Sequence, residues 1–120
     1  MKYVKQKGTK RLLNAGRYAV EGLTDAFKTE EAFKQEAILA LVLIPVSFCI
    51  ETTAVGHALL VASVLFVLLM ELLNTAVETV IERISDDIHP LSKRAKDLGS
   101  AAVFVSLLNM GAVWAIIIFG

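Results

Sequence analysis

The chain has 120 residues, of which 56% are hydrophobic, and its mean hydropathy is +0.65. A water-soluble domain of this size could not bury so much apolar surface, so the composition predicts a single-domain integral membrane protein. Twelve Lys and Arg residues balance twelve Asp and Glu residues, so net charge gives no reason to expect a nucleic-acid partner. The one cysteine, Cys49, excludes a disulfide framework within the chain and a cysteine-based metal site.

The N-terminal quarter of the chain predicts a helix on the membrane surface. Residues 1–8 are polar and basic, and we expect them to lack regular structure. Over residues 9–28, apolar residues recur at helical spacing opposite a charged side, with basic residues near the start. This pattern is typical of an amphipathic helix that lies on a membrane. The alternative is a soluble core helix, but the remaining chain offers no soluble core for it to pack against.

Two membrane-spanning helices are predicted next, over residues 32–50 and 54–84. The apolar run 37–50 is about 21 Å of helix, so the first span reaches the roughly 30 Å hydrocarbon thickness only with residues 32–36. Pro45 is expected to kink this helix and not to end it. The second span has no clear stop before residue 85 and would extend about 45 Å, so its end must project into water.

A third span is predicted over residues 97–119, after a loop at 85–92 in which Pro90 is expected to exclude helix. Its many small residues would let it pack closely against other helices. Lys and Arg are concentrated in the N-terminal region and in residues 83–96. The positive-inside rule therefore predicts a cytoplasmic N-terminus and an external C-terminus.

The candidate site lies late in the second span. Glu71, Asn74 and Glu78 follow an uncharged stretch of 17 residues, 54–70, at i, i+3 and i+7, so they share one helix face. Carboxylates at the end of a membrane-length apolar segment are costly to bury and by default mark a functional site. Helix rise puts Glu71 about 25 Å from the outer end, at the inner headgroup boundary.

The chemistry of that face allows two functional roles and one structural role. A carboxylate at the apolar boundary is poorly solvated in its charged form, which favours a general base. Two carboxylates and an amide could also bind a hard cation together with water and phosphate. The structural alternative is that Glu71 and Asn74 only form hydrogen bonds between helices.

Other polar residues near the inner interface give weaker signals. Lys96 and Asp97 at a helix start offer a phosphate-binding cation and a hydrogen-bond acceptor. The alternative for Glu78, Glu82, Lys93 and Arg94 is simple solvation, and His89 alone fits a loop residue better than a metal ligand. The chain has no P-loop, no HRD or DFG kinase motif and no HExxH motif.

Four segments resemble the small integral-membrane diacylglycerol kinases of bacteria. ELLNTAVE at 71–78 matches the signature E-x-L-N-[ST]-A-[IV]-E, and EEAFKQE, HPLS and RAKDLGSAAV match at 30–36, 89–92 and 94–103. The resemblance extends from about residue 9 to the C-terminus. It implies an all-α homotrimer of three-span protomers, each with the surface helix, in the bacterial inner membrane with a periplasmic C-terminus. The implied reaction moves the ATP γ-phosphoryl group to the hydroxyl of diacylglycerol, giving phosphatidic acid, with Mg²⁺ as cofactor.

The resemblance also implies residue roles. Glu71 would be the general base, and Glu30 and Glu78 would hold Mg²⁺. The residues implied to bind the nucleotide are Arg11, Tyr18, Glu30, Asn74, Glu78, Asp87, His89, Lys96 and Asp97. Those implied to contact the lipid are Arg11, Phe33, Glu36, Glu71 and Ser100. Val20 and Phe27 stand where the best-known members carry Trp, and because both are apolar, docking on the membrane is expected to persist.

Three alternatives remain open at this point. A kinase of the same family could act on undecaprenol, a polyprenyl alcohol. A small proton-coupled multidrug transporter has a similar length, but it needs four spans and a glutamate in the first. The third is a purely structural membrane peptide.

Overall fold

The computed structural model describes residues 4–120, and this part of the chain contains four α-helices and no β-strand. The all-α class is therefore as predicted. The expectation for residues 1–3 lies outside the described residues, and residues 4–7 precede the first helix. The helices are α1 (Gly8–Thr29), α2 (Glu31–Phe48), α3 (Ala54–Ile84) and α4 (Pro90–Phe119).

Side-chain caps fix where α3 and α4 begin. The Thr53 hydroxyl accepts a hydrogen bond of 3.1 Å from the Gly56 N–H and satisfies one of the free donors of the first α3 turn. In the same way, His89 Nδ1 accepts from the Leu91 N–H at 3.1 Å, and Pro90 is the first residue of α4. The expectation that Pro90 would exclude helix is wrong, because proline fits the first helical position, where no N–H partner is needed.

The corner between α1 and α2 consists of one non-helical residue, Glu30. Its backbone is extended (φ −108°, ψ 108°), its N–H donates to the Ala26 carbonyl, and its own carbonyl accepts from the Lys34 N–H. Lys34 Nζ also lies 5.8 Å from the centre of the Phe27 ring and links the two helices across the corner. Glu30 is therefore held at a sharp change of chain direction.

The central helix is α3, which contacts both α2 and α4, while α1 contacts α2. The buried positions of its first half are small or apolar: Gly56, Leu60, Ser63, Val64 and Val67. Trp114 of α4 donates from Nε1 to Ser63 Oγ at 3.1 Å, and this hydrogen bond joins the two helices. Small residues and hydrogen bonds between helices are the means by which helices associate in a membrane, where lipid removes the hydrophobic driving force.

Among residues 4–120, two helices, α3 and α4, are long and apolar enough to cross a membrane. The 18 residues of α2 include three charged side chains near its start, Glu31, Lys34 and Glu36, and α2 is not one of these two helices. Large apolar side chains are exposed along α1, α2, α3 and α4. A surface of this kind is typical of contact with lipid or with other protein chains.

Candidate active site

The second half of α3 carries the acidic row, defined as Glu71, Asn74 and Glu78. The Glu71 side chain is only 7% exposed although it is ionisable, while Asn74 and Glu78 are half-buried. Asn74 Nδ2 donates to Glu78 Oε1 at 3.3 Å, which shows that the two side chains lie on the same helix face. The spacing i, i+3, i+7 therefore places the three polar groups together, as predicted from the sequence.

Two further carboxylates approach the acidic row from outside α3. The charges of Glu36, Glu78 and Glu30 all act on the carboxylate of Glu71, and Glu36 has the strongest influence of the three. Glu36 belongs to the first turns of α2, and Glu30 to the corner before it. The packing of α2 on α3 thus brings Glu36 and Glu30 toward the acidic row, where the like charges of the carboxylates favour a bound cation.

The oxygen atoms in this region are suited to a Mg²⁺ ion that is also coordinated by phosphate. They do not form a site in which protein side chains alone surround the metal. Within residues 4–120, no three Asp, Glu, His or Cys side chains lie close enough to share one ion. The Asn74 Oδ1 atom is buried and has no hydrogen-bond partner in this described part of the chain. Magnesium sites often use one or two carboxylates and complete the octahedron with substrate phosphates and water. Glu78 and Glu30 are carboxylates of the kind that such a site uses.

A polar cavity of about 270 Å³ lies beside the loop between α3 and α4. It brings together several residues that the resemblance assigns to the nucleotide. Its charged and imidazole-bearing lining residues are Glu82, Asp86, Asp87, His89, Lys93 and Lys96. Lys93 also forms an ion pair with Asp97, in which its Nζ lies 2.7 Å from Asp97 Oδ2. The predicted residues Asp87, His89 and Lys96 are therefore in one place, and all three are exposed.

Arg11 and Tyr18 lie elsewhere, on α1. They line a larger and open groove of about 800 Å³ together with residues 4–6 and Ala15. The Arg17 guanidinium stacks on the Tyr18 ring at 5.3 Å. Within one protomer, the residues implied to bind the nucleotide thus fall into three groups: the α1 groove, the acidic row with Glu30, and the loop cavity.

The residues implied to contact the lipid differ in their accessibility. Glu36 is half-buried beside Glu71, and Ser100 is exposed on α4. Phe33 is only 4% exposed and belongs to the packed core of the protomer. Phe33 and Glu71 are therefore the two members of this set that are buried within the protomer.

Lys93 is a residue whose position the sequence reasoning did not use. Simple solvation was the alternative for this residue, and its side chain is exposed, lines the loop cavity and forms an ion pair with Asp97. The signal that could have revealed it is the spacing i, i+4, at which opposite charges on a helix meet.

Comparison with known proteins gives the family. Residues 17–118 match the family described as prokaryotic diacylglycerol kinase. The "Diacylglycerol kinase" of Haemophilus influenzae is 48% identical over 115 residues, which cover 96% of this chain and 98% of that protein. The protein of the same name from Pseudomonas aeruginosa is 47% identical, covering 96% and 94%. The one from Escherichia coli K12 is 37% identical, covering 93% and 92%. Given the family match over most of its length, this chain belongs to the prokaryotic diacylglycerol kinase family.

Proposed function

We propose that the protein is a lipid kinase that transfers the γ-phosphoryl group of ATP to the hydroxyl of diacylglycerol, giving phosphatidic acid. The observation that carries this proposal is the buried carboxylate of Glu71, at the membrane-length distance along α3 where a lipid hydroxyl would lie. Family membership and the names of the relatives support the same reaction. The absence of soluble-kinase motifs from the sequence agrees with a different fold for the same chemistry.

In the proposed mechanism, Glu71 accepts the proton of the lipid hydroxyl as the oxygen attacks the γ-phosphorus. The bond between the γ-phosphorus and the bridging oxygen breaks, and ADP leaves. Its low exposure keeps water away from the carboxylate and leaves it available to a hydroxyl at the headgroup level. Phosphoryl transfer depends mainly on positioning and on neutralising the phosphate charge. Bound Mg²⁺ would supply that neutralisation, Glu78 and Glu30 are the groups that would hold it, and Asn74 would support the site through its hydrogen bond to Glu78.

The nucleotide would extend from the acidic row to the loop cavity. Lys96 offers a cation for phosphate, and Asp97, Asp87 and His89 offer polar contacts at the same end of α4. Arg11 and Tyr18 of α1 lie in a separate groove of the same protomer. Their use at the same nucleotide would be explained by a homotrimer in which neighbouring protomers contribute to each site.

The proposed location is the bacterial inner membrane, with one domain over residues 1–120. In it, α1 lies on the cytoplasmic surface, and α2, α3 and α4 form three spans that leave the C-terminus in the periplasm. The exposed apolar side chains of α1, among them Leu12, Leu13 and Val20, support its contact with lipid. The 18 residues of α2 give about 27 Å of helix, close to the hydrocarbon thickness.

The test is lipid-dependent ATP consumption by the purified protein in mixed micelles with Mg²⁺. Dioleoylglycerol and undecaprenol are supplied in parallel at equal mole fraction, and the phosphorylated lipid is identified by mass spectrometry. We expect faster turnover on dioleoylglycerol. A clear preference for undecaprenol would assign the related polyprenol kinase activity, and no phosphorylation of either lipid would contradict a lipid kinase.

A further inference from the structure

Gly99 of α4 faces the acidic row of α3, and this contact carries an inference that deepens the proposed function. A methyl group built on Gly99 would overlap Asn74 Oδ1, and it would lie 3.2 Å from Asn74 Cγ and 3.8 Å from Asn74 Cβ. The amide oxygen thus occupies the space that a side chain at position 99 would fill. Any residue other than glycine at this position conflicts with the observed orientation of Asn74.

The orientation of Asn74 matters because its two ends face different groups. Its Nδ2 donates to Glu78 Oε1 at 3.3 Å, whereas Oδ1 is buried against α4 with no hydrogen-bond partner among the described residues. No hydrogen bond therefore anchors the oxygen, and it can remain buried there only because α4 leaves room for it. That room is provided by the absence of a side chain at Gly99.

We propose that Gly99 is a positioning residue. Because it has no side chain, the Asn74 amide oxygen can lie against α4, and in this orientation the Asn74 Nδ2 group faces Glu78. The amide oxygen is the far end of a side chain that can rotate, so a methyl group at position 99 is relieved most cheaply by turning Asn74. The helices need not separate, because the remaining contact, 3.8 Å to Asn74 Cβ, is an ordinary van der Waals distance. Turning Asn74 would break its hydrogen bond with Glu78, which is a carboxylate proposed to hold Mg²⁺.

The chain supplies a matched control. Gly111 lies on the same helix, and a methyl group built there meets nothing within 4 Å. Replacing glycine by alanine within a helix favours the helix by itself. Gly99→Ala and Gly111→Ala therefore share any effect on helix propensity, and they differ in the contact with Asn74.

The first measurement reports Asn74 directly and needs no catalysis. The chain has three asparagines, Asn14, Asn74 and Asn109, so protein labelled with ¹⁵N at asparagine gives few side-chain amide signals in micelles. The Asn74 signal is assigned by its loss in Asn74→Ala. We expect Gly99→Ala to shift this signal and Gly111→Ala to leave it in place.

The second measurement is kinetic and depends on the proposed function. Because small displacements of positioned groups reduce rates strongly, we expect Gly99→Ala to lower kcat by about tenfold or more. It should also raise the Mg²⁺ concentration for half-maximal activity and leave the KM for the lipid unchanged. The thermal unfolding midpoint should remain close to that of the wild type, and Gly111→Ala should keep wild-type kinetics.

Three results would overturn the proposal: an unmoved Asn74 signal, a shifted signal with wild-type kinetics, or a lowered unfolding midpoint with normal activity per folded protein. The last of these would mean that Gly99 serves packing alone. A wild-type protein that phosphorylates neither lipid would instead overturn the proposed function. In that case the amide signal still decides whether Gly99 orients Asn74.

Discussion

The two halves of α3 differ in the kind of side chain that they bury. The half that starts at Thr53 buries small and apolar side chains, and its polar groups are paired, as in the hydrogen bond from Trp114 to Ser63. The half that ends at Ile84 carries Glu71 buried among other carboxylates, and Asn74 Oδ1 is left without a partner in residues 4–120. The first half follows the rules for stability, and the second departs from them in the way that functional sites do.

Glu71→Gln tests this comparison most strongly. The amide keeps the size of the side chain but cannot act as a base, so we expect turnover to fall about a hundred- to ten-thousandfold. ATP binding should change little, because Glu71 is assigned to the lipid and not to the nucleotide. The thermal unfolding midpoint should not fall, because the substitution relieves charge repulsion at the acidic row. ATP consumption with dioleoylglycerol, equilibrium nucleotide binding and unfolding in micelles check these outcomes. Glu51→Gln, at the exposed turn before α3, is the control, and full activity of Glu71→Gln would remove the general-base role.

Glu78→Gln is expected to have the next largest effect. Loss of one carboxylate oxygen donor should raise the Mg²⁺ concentration for half-maximal activity roughly ten- to a hundredfold. The KM for the lipid should stay within experimental error, since Glu78 lies about 10 Å further along α3 than Glu71. Magnesium titrations at fixed lipid, and lipid titrations at saturating Mg²⁺, separate the two. An unchanged magnesium titration would contradict a metal-binding role.

Gly56→Ala perturbs the first half of α3 and should leave the chemistry intact. A methyl group at this position would lie 2.9 Å from Thr52 Cγ2 and 3.0 Å from Thr52 Cβ, closer than side chains tolerate. We expect a loss of about 1–3 kcal/mol in the free energy of unfolding. The kcat per folded molecule should not change. Chemical unfolding in micelles measures the free energy of unfolding, with Gly111→Ala as the control. A large drop in kcat at normal stability would contradict the prediction, because it would mean that the first half of α3 also affects catalysis.

The hydrogen bond between Trp114 and Ser63 should give the smallest effect. In a double-mutant cycle of Trp114→Phe and Ser63→Ala, we expect a coupling of about 0.6 kcal/mol, as is common for hydrogen bonds between membrane helices. Unfolding of the four proteins in the same micelles supplies the cycle. Zero coupling would mean that side-chain packing, and not this hydrogen bond, aligns α3 with α4.

Much of this architecture could be predicted from local patterns, because those patterns act within one helix. The helix expected over residues 54–84 is observed as Ala54–Ile84, and the common face of Glu71, Asn74 and Glu78 follows from helical periodicity alone. The start of α4 was misjudged, because the role of a proline depends on whether it precedes a helix or interrupts one.

Contacts between helices could not be predicted in the same way. The approach of Glu36 to Glu71 depends on how α2 lies against α3, and the contact between Gly99 and Asn74 depends on the register of α4. Neither quantity is encoded in the spacing of residues along one helix. The distribution of the implied nucleotide residues over three groups in one protomer also emerges only from the packing of all four helices.

The one-residue corner at Glu30 has a mechanical consequence for the chain. Since α1 ends at Thr29 and α2 begins at Glu31, a single residue connects the two helices. Any rotation of α1 relative to α2 therefore requires a change in the backbone torsion angles of Glu30. A single inserted residue would turn the apolar side of α1 by about 100° about its axis. A change in the angle between α1 and α2 would therefore change the backbone torsion angles of Glu30 and move its carboxylate.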